Sequence, residues 1–599
     1  MNYKLIINFF SLLLVVLYLI TSSCAKIGAI SGGPKDTIPP QLVSSVPKNY
    51  TLNFSGHKIQ LNFDEFIQLK DVNQQLNVSP PLKKKPQVKL KGKSAFIEFS
   101  DTLKENTTYT FNFGNAIVDN NEGNILRNFE FVFSTGSFLD SMGVEGQIIN
   151  AFILKPDKES LLAMLYQDLS DSAPYKQIPI YTSRTDKNGH YFINHVKEGT
   201  YRLYALKDGN YNYKYDPPTE EFGFADTLIY LHKQMFDSLL CDTSHGINPK
   251  LLEKVQPSDT SRKDSLKTNN KEYVLHVDLV TFKEKDPKQY IKDYSRKDKH
   301  CLDFDFNRSL LDDSLEFFPV YYKAENWYQL EKNLNNDTFK IWITDTSLIK
   351  TDTLRIKIFY TGTDKKNNPV SANEILNFRY FSKESGKKKG KKQPSLPLVM
   401  KPSNNSILDL NQDISILSQY PVYKVDSDKI ILFLKVDTVE NPQTFHILKD
   451  TTNKRLFFIT FKREEENRFK LQLLPGAFQD IYGNTNDTIT SSFNIQKADF
   501  YGNLFVILSG VRTHMLVQLF DKETLVKQTS IDSDGKVEFN YLYPKKYTVK
   551  FIYDTNHNDK WDTGNFHEKK QPEKVEFYKE DVNIRSNWDV QISWDLKGN

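Results

Sequence analysis

Lys546-Tyr547-Thr548-Val549-Lys550-Phe551-Ile552-Tyr553 runs straight into Asp554-Thr555-Asn556-His557-Asn558-Asp559-Lys560-Trp561-Asp562, and the chain contains this arrangement twice. The earlier copy leads from Gly199-Thr200-Tyr201-Arg202-Leu203-Tyr204-Ala205 into Asp208-Gly209-Asn210-Tyr211-Asn212-Tyr213-Lys214-Tyr215-Asp216. Asp, Asn, Asn, an aromatic and Asp recur in one register. A tight turn precedes each strand, Asp186-Lys187-Asn188-Gly189 in the first copy and Asp532-Ser533-Asp534-Gly535 in the second. Gly, Asn and Asp at such positions admit the backbone that a hairpin turn needs. Turn, strand and loop repeating together mark a duplicated module built of strands.

Composition agrees with a β protein. At 599 residues, with 39% hydrophobic and 26% charged side chains, the chain is too long for one core and divides into roughly four to six domains. Phe 42 and Tyr 31 against Met 6 favour strands over helices. A net charge of +4 gives no field that would single out nucleic acid as a partner. Three cysteines exclude a disulfide-dense scaffold, and none lies in a CxxC pair. HExxH and GxSxG are absent. The run Lys387 to Lys392 is one residue short of a phosphate loop, with Gln393 where Ser or Thr is needed. These absences predict a protein that is not an enzyme, and the lysine run reads as a solvated linker or a contact for anionic lipid.

Residues 1–23 read as an export signal: Lys4 supplies positive charge, Leu5 to Ile20 is apolar, and Thr21-Ser22-Ser23 stands before Cys24. Small residues directly before a cysteine resemble a bacterial lipobox, which implies that Cys24 is acylated and anchors the protein in outer-membrane lipid. A plain secretory signal and an uncleaved anchor are the alternatives. A small-residue tether, 24–36, follows.

From 37–137 the pattern is period two, with Ile59, Leu61 and Phe63 on one face, then Val88 and Leu90, Phe96 and Phe99, and Tyr109, Phe111 and Phe113. No segment between them is long enough for a helical crossover, so an antiparallel sandwich is expected. Gly32-Gly33-Pro34-Lys35-Asp36-Thr37-Ile38-Pro39-Pro40, Phe63-Asp64-Glu65-Phe66 and the closing Phe131-Val132-Phe133-Ser134-Thr135 resemble the SbsA-type bacterial Ig-like domain at the front of Bacteroidota surface lipoproteins. Residues 138–240 and 499–599, the two duplicated modules, resemble the transthyretin-like fold of the carboxypeptidase regulatory domain, which implies a seven-stranded sandwich without catalytic residues. Between them we expect a polar linker at 241–271, an Ig-like sandwich at 272–382, a Lys-rich linker at 383–397 and a further Ig-like sandwich at 398–498. Phe317, Val320 and Tyr321, then Phe339, Ile341 and Ile343, and Leu354, Ile356, Ile358 and Tyr360 supply strands of the 272–382 unit. The corner Leu474 to Asn484 in the later Ig-like unit echoes Gly114 to Asn124 in the first. The expected fold class is thus all-β, a string of Ig-like and transthyretin-like β-sandwiches on a lipidated N-terminal tether.

Oxygen-bearing side chains at alternate positions can converge on a hard cation if the loop curls. A Ca2+ site would use Asp208, Asn210, Asn212, the carbonyl of Lys214 and Asp216, and again Asp554, Asn556, Asn558, the carbonyl of Lys560 and Asp562, with the C-terminal copy favoured. The spacing follows the first nine positions of an EF-hand loop. Tyr213 and Asp559 replace its glycine, and no Glu stands at the twelfth position. The other reading is a hydrogen-bonded Asx turn without metal. Asp followed by Ser or Thr resembles the O-glycosylation signal of Bacteroidota exported proteins, implying acceptors at Thr37, Ser172 and Ser265, although the same pair also simply begins strands. Cys241 and Cys301 are either bridged or two separate thiols.

Lipoproteins with this domain order resemble a surface subunit of the β-barrel assembly machinery. The resemblance implies an outer-membrane, exterior-facing scaffold whose partners are outer-membrane β-barrel proteins and other lipoproteins. The competing expectation is a glycan-binding or adhesive surface protein that stacks Tyr211, Tyr213 and Tyr215 on sugar rings.

Overall fold

The computed structural model describes residues 35–233, 273–310, 314–322, 325–381 and 395–596. Cys24, Cys241 and Ser265, the signal at 1–23, the 241–271 linker and the Lys387 to Lys392 run lie outside them. The described chain is all-β, a string of two-layered sandwiches. Among the described residues no helix is long and apolar enough to cross a membrane.

In the first unit, Leu42–Val46, Lys58–Phe63, Ser94–Glu98 and Gln87–Lys91 form one sheet, and Asn77–Ser79, Thr108–Asn112 and Glu130–Ser134 the other. Ile59, Leu61, Phe63, Phe111, Phe113, Phe131 and Phe133 fill the space between. The alternation in Ser94–Glu98 is shifted from the expected one: Ala95, Ile97 and Phe99 face inward. Phe96 lies outside, beneath the Lys58 ammonium at 5.0 Å, and Leu90 is exposed on the neighbouring edge strand. A one-residue difference in register exchanges the faces of every side chain.

The second unit extends past the expected boundary at 240. Tyr273–His276 pairs in parallel with Met142–Asn150, and Leu279–Lys283 pairs with both Met142–Asn150 and Glu221–Phe224. Segments assigned above to the start of the 272–382 unit therefore complete the preceding sheet. Two glycines permit this: a Cβ on Gly146 would lie 1.9 Å from the Val277 carbonyl oxygen, and one on Gly223 would lie 2.3 Å from that of Val280. The described strands on either side of the 241–271 segment, Ile229–Leu231 and Tyr273–His276, thus belong to one domain.

The C-terminal module reproduces this unit except for Leu279–Lys283, which links the two sheets of the second unit only. Gly502–Ser509 lies between antiparallel Gly535–Leu542 and parallel Asp589–Asp595, as Met142–Asn150 lies between His190–Val196 and Tyr273–His276. The second sheets correspond equally: Thr524–Ile531, Met515–Asp521, Lys546–Tyr553 and Val575–Phe577 match Tyr181–Arg184, Leu162–Tyr166, Gly199–Leu206 and Glu221–Phe224. Val582–Asn583 and Ile229–Leu231 supply a short eighth strand in each.

The two middle units are separate sandwiches. One pairs Ile291–Asp298, Cys301–Phe306, Thr338–Ile343 and Tyr328–Lys332 against Glu316–Pro319, Thr353–Thr363 and Pro369–Arg379. Phe317 is buried there as expected, but the chain leaves the sheet at Pro319, so Val320 and Tyr321 are exposed. In the other, Phe478–Asp480 pairs with Val422–Val425 as Ile117–Asp119 pairs with Ile67–Leu69 in the first unit. The echoed corners share their wiring. Asp119 accepts the N–H groups of Asn121, Glu122, Gly123 and Asn124, and Asp480 those of Tyr482 and Asn484. Gly123 and Gly483 both take the left-handed conformation, at φ 79° and 84°.

Polar seams join successive units. Asn77 exchanges two hydrogen bonds with Thr182. The Arg455 guanidinium forks onto Glu331 while stacking on Trp342. Asp409 accepts the hydroxyls of Tyr501 and Tyr543. The chain then closes on itself, because the C-terminal module packs against the second unit.

Candidate cation loops on the duplicated modules

The strand Gly199–Leu206 delivers Asp208 to one end of its sandwich, and Lys546–Tyr553 delivers Asp554 to the equivalent place. Both loops curl through two left-handed residues, Tyr211 and Tyr213 at φ 60° in the first, His557 and Asp559 at 58° and 57° in the second. The wiring matches. Asp208 accepts the N–H groups of Asn212 and Tyr213 at 3.1 and 3.0 Å, and Asp554 those of Asn558 and Asp559 at 3.3 and 2.7 Å. Asp216 Oδ2 receives the amides of Asn210 and Asn212, both at 2.8 Å. Asp562 Oδ2 receives those of Asn556 and Asn558 at 2.5 and 2.7 Å. The N–H of Lys214, like that of Lys560, bonds back to the preceding Asn side chain.

Each loop also holds a carboxylate that the spacing did not announce. Glu220 accepts the N–H groups of Gly209 and Asp216, and Glu573 those of Thr555 and Asp562. Both are buried. They stand 12 and 19 residues beyond the first Asp, so no fixed offset finds them. The shared signal is a glutamate after a proline-bearing turn, Pro218-Thr219-Glu220 and Pro572-Glu573.

The two sites differ in charge. Burial raises the pKa of Glu220, and the neighbouring Asp208 and Asp216 raise it further. In the second loop Lys285, from the other module, places its ammonium on Asp562. Burial alone would raise the pKa of Asp562, but Lys285 and the two amides hold it below the ordinary value. Among the described residues, a lysine pairs with Asp562 of the second loop and none pairs with Asp208, Asp216 or Glu220 of the first. The donors of the first loop fit a hard cation: three carboxylates, two amides that can present oxygen on rotation, and the Lys214 carbonyl.

Other sequence candidates fall as follows. Tyr215 is buried at 1% exposure, stacked on Phe222 at 4.1 Å, and Tyr213 is half-buried. Only Tyr211, at 43%, is open to solvent, so the expected row of three sugar-stacking tyrosines is not formed. Aromatics in the loop pack its base instead. Thr37 is exposed and Ser172 half-buried. Cys301 is buried beside Asp303, and burial pushes its thiol pKa up.

The C-terminal loop is also the clasp between modules. Beyond Asp562, Thr563 Oγ1 donates to the Lys283 carbonyl at 2.8 Å and the Phe566 N–H to Glu284 at 2.6 Å. Gln571 Nε2 donates to the Phe224 carbonyl and to Asp226. Phe566 enters the core of the second unit, its ring 4.9 to 5.8 Å from those of Phe222, Phe224, Tyr204 and Tyr175. Lys569 pairs with Asp171 at 2.6 Å.

Residues 36–135 match the family model described as a bacterial Ig-like domain, which fits the sandwich found there. No curated protein matches the chain. Among solved structures, three titin domains, A168–A170, align at 8% identity with a TM-score of 0.13, covering 50% of this chain and 99% of that one. The S-layer protein fragment rSbsC(31-844) aligns at 10% identity and TM-score 0.13, covering 91% and 67%. The major pilin subunit BcpA of Bacillus cereus aligns at 9% and 0.13, covering 76% and 98%.

Proposed function

We propose that the protein is a non-catalytic lipoprotein, held to the outer membrane through acylated Cys24 and facing the exterior, that serves as a scaffold or accessory subunit of an outer-membrane protein machine. Outer-membrane β-barrel assembly is the machine this reading favours, with barrel proteins and other lipoproteins as partners. The observation that carries the reading is the clasp between the duplicated modules, centred on Phe566 in the second unit's aromatic core. A chain closed on itself holds its sandwiches at set spacings, and surfaces presented without prior ordering bind partners at lower entropic cost. Affinity purification of the chain from detergent-solubilised outer membrane is the test. Stoichiometric recovery of a β-barrel protein is the expected result, and its absence overturns the reading.

Within this reading the first Asp/Asn loop is a weak structural Ca2+ site, held by Asp208, Asn210, Asn212, the Lys214 carbonyl and Asp216 with Glu220 behind them. A second functional reading, glycan binding, draws on Tyr211 at the rim of a cleft of about 740 Å3 that Arg184, Lys207 and Glu220 also line. Retention on a polysaccharide gel that Tyr211→Ala abolishes would favour it.

A further inference from the structure

We infer that His514, His557 and Asp532 form a binding site for a divalent transition-metal ion of the Zn2+ class, with Asp559 orienting His514 from behind. The site takes His557 and Asp559 from the C-terminal Asp/Asn loop but uses none of the oxygen donors that the Ca2+ reading assigns there. One ligand atom from each of the three residues lies within 4.8 Å of the other two. His514 Nδ1 stands 2.6 Å from Asp532 Oδ1, and its ring lies 4.8 Å from that of His557, inclined by 26°. Ligand atoms of a tetrahedral Zn2+ are about 3.4 Å apart, given metal–ligand bonds of about 2.1 Å. Binding an ion would open the 2.6 Å contact between His514 and Asp532 and draw the wider separations in.

The backbone holds two of the ligands in place. Met515 and Ile531 are partners in the antiparallel pair, so His514 and Asp532, each one residue further out, are cross-strand neighbours. His557 reaches them from the left-handed loop. The other nitrogen of His514, Nε2, lies 3.1 Å from Asp559 Oδ1 and 3.8 Å from the buried Asp554 carboxylate. A histidine that ligates through one nitrogen characteristically donates the other N–H to a carboxylate, which sets its tautomer and orientation. Two imidazoles and one carboxylate suit Zn2+, Cu2+ or Ni2+, whereas Ca2+ and Mg2+ take oxygen donors. Asp532 and His557 are exposed, which leaves an ion accessible and a coordination position open to water.

The duplicate module provides an internal comparison. Leu162 pairs with Arg184 and Leu206, as Leu516 pairs with Ser530 and Ile552. By this register His514, Asp532, His557 and Asp559 correspond to Ser160, Asp186, Tyr211 and Tyr213. The first copy keeps one carboxylate and neither imidazole while forming the same strands and the same loop, so the fold of the module does not require the histidine pair.

The full chain, carrying no polyhistidine tag and stripped with chelator, is titrated calorimetrically with Zn2+, and its Co2+ adduct is read by visible absorption. Saturable Zn2+ binding is expected, with tetrahedral Co2+ bands that Ca2+ does not displace. Asp559→Asn should weaken Zn2+ binding by about 10- to 100-fold. His557→Gln, in an exposed loop, should abolish the Co2+ bands without changing the far-ultraviolet circular dichroism. Absence of saturable Zn2+ binding by the wild type, or binding unchanged in a His514→Gln/His557→Gln double variant, overturns the inference.

Discussion

Lys550 lies in Lys546–Tyr553 with 1% of its surface exposed, and its ammonium sits 2.9 Å from the centroid of Phe152, a ring of the other module. Phe577 and Phe520 stand at 5.6 and 5.8 Å. Burial lowers its pKa from 10.5 to about 7. The unfolded chain therefore holds a proton that the folded one releases between about pH 7 and pH 10.5, and stability contributed by this residue rises with pH across that window. Below about pH 7 the folded state carries the whole cost of the buried cation. Replacing Lys550 with Met should raise the denaturant midpoint near pH 7 and remove the wild type's relative gain toward pH 10, measured by urea titration at both values. An unchanged difference between the two proteins would show that the cation is not desolvated. In the sequence this lysine looks like an ordinary outward residue between Val549 and Phe551. Phe152, from a module that begins hundreds of positions earlier, is the ring nearest its ammonium, and no local pattern encodes that contact.

The loops were the most legible elements, and their chemistry was legible only in part. The D-x-N-x-N-x-x-[YW]-D register located both, and the strands before them fell where the alternation put them. Spacing could not reveal Glu220 or Glu573, because each returns from beyond a turn of different length, nor Lys285, which reaches Asp562 from another module. Glu220→Gln should lower stability by about 1–3 kcal/mol, since the amide oxygen can accept only one of the two N–H groups and its NH2 meets the other, a cost that relief of the repulsion from Asp208 and Asp216 offsets in part. Calorimetry of the full chain should show a higher melting temperature at millimolar Ca2+ than in chelator, an increase that Asp208→Asn diminishes more than Asp554→Asn. Equal melting temperatures with and without Ca2+ would assign both loops to hydrogen-bonded turns. The first-unit strand Ser94–Glu98 shows the opposite limit of local reading: with Ala95 small and Phe96 large, hydrophobic bulk marks the wrong face.

At the scale of the molecule, the order of sandwiches could be read from turns and alternation, but the boundary at 240 could not. The strands that complete the second unit, Tyr273–His276 and Leu279–Lys283, come after a long polar stretch of sequence and join a sheet whose other members are far back in the chain. The closure of the chain is likewise absent from local pattern, since Thr563-Gly564-Asn565-Phe566 carries no mark of an anchor. Phe566 is 1% exposed among four aromatic rings of the other module. Truncation to Ala should cost about 3–5 kcal/mol of clasp stability. The most direct test is zero-length carbodiimide cross-linking of the monomeric full chain, read by mass spectrometry at the two ion pairs that span the modules, Lys569 with Asp171 and Lys285 with Asp562. Both cross-links should form in the wild type and disappear in Phe566→Ala. A monomer in which neither forms would contradict the closed chain and the scaffold built on it.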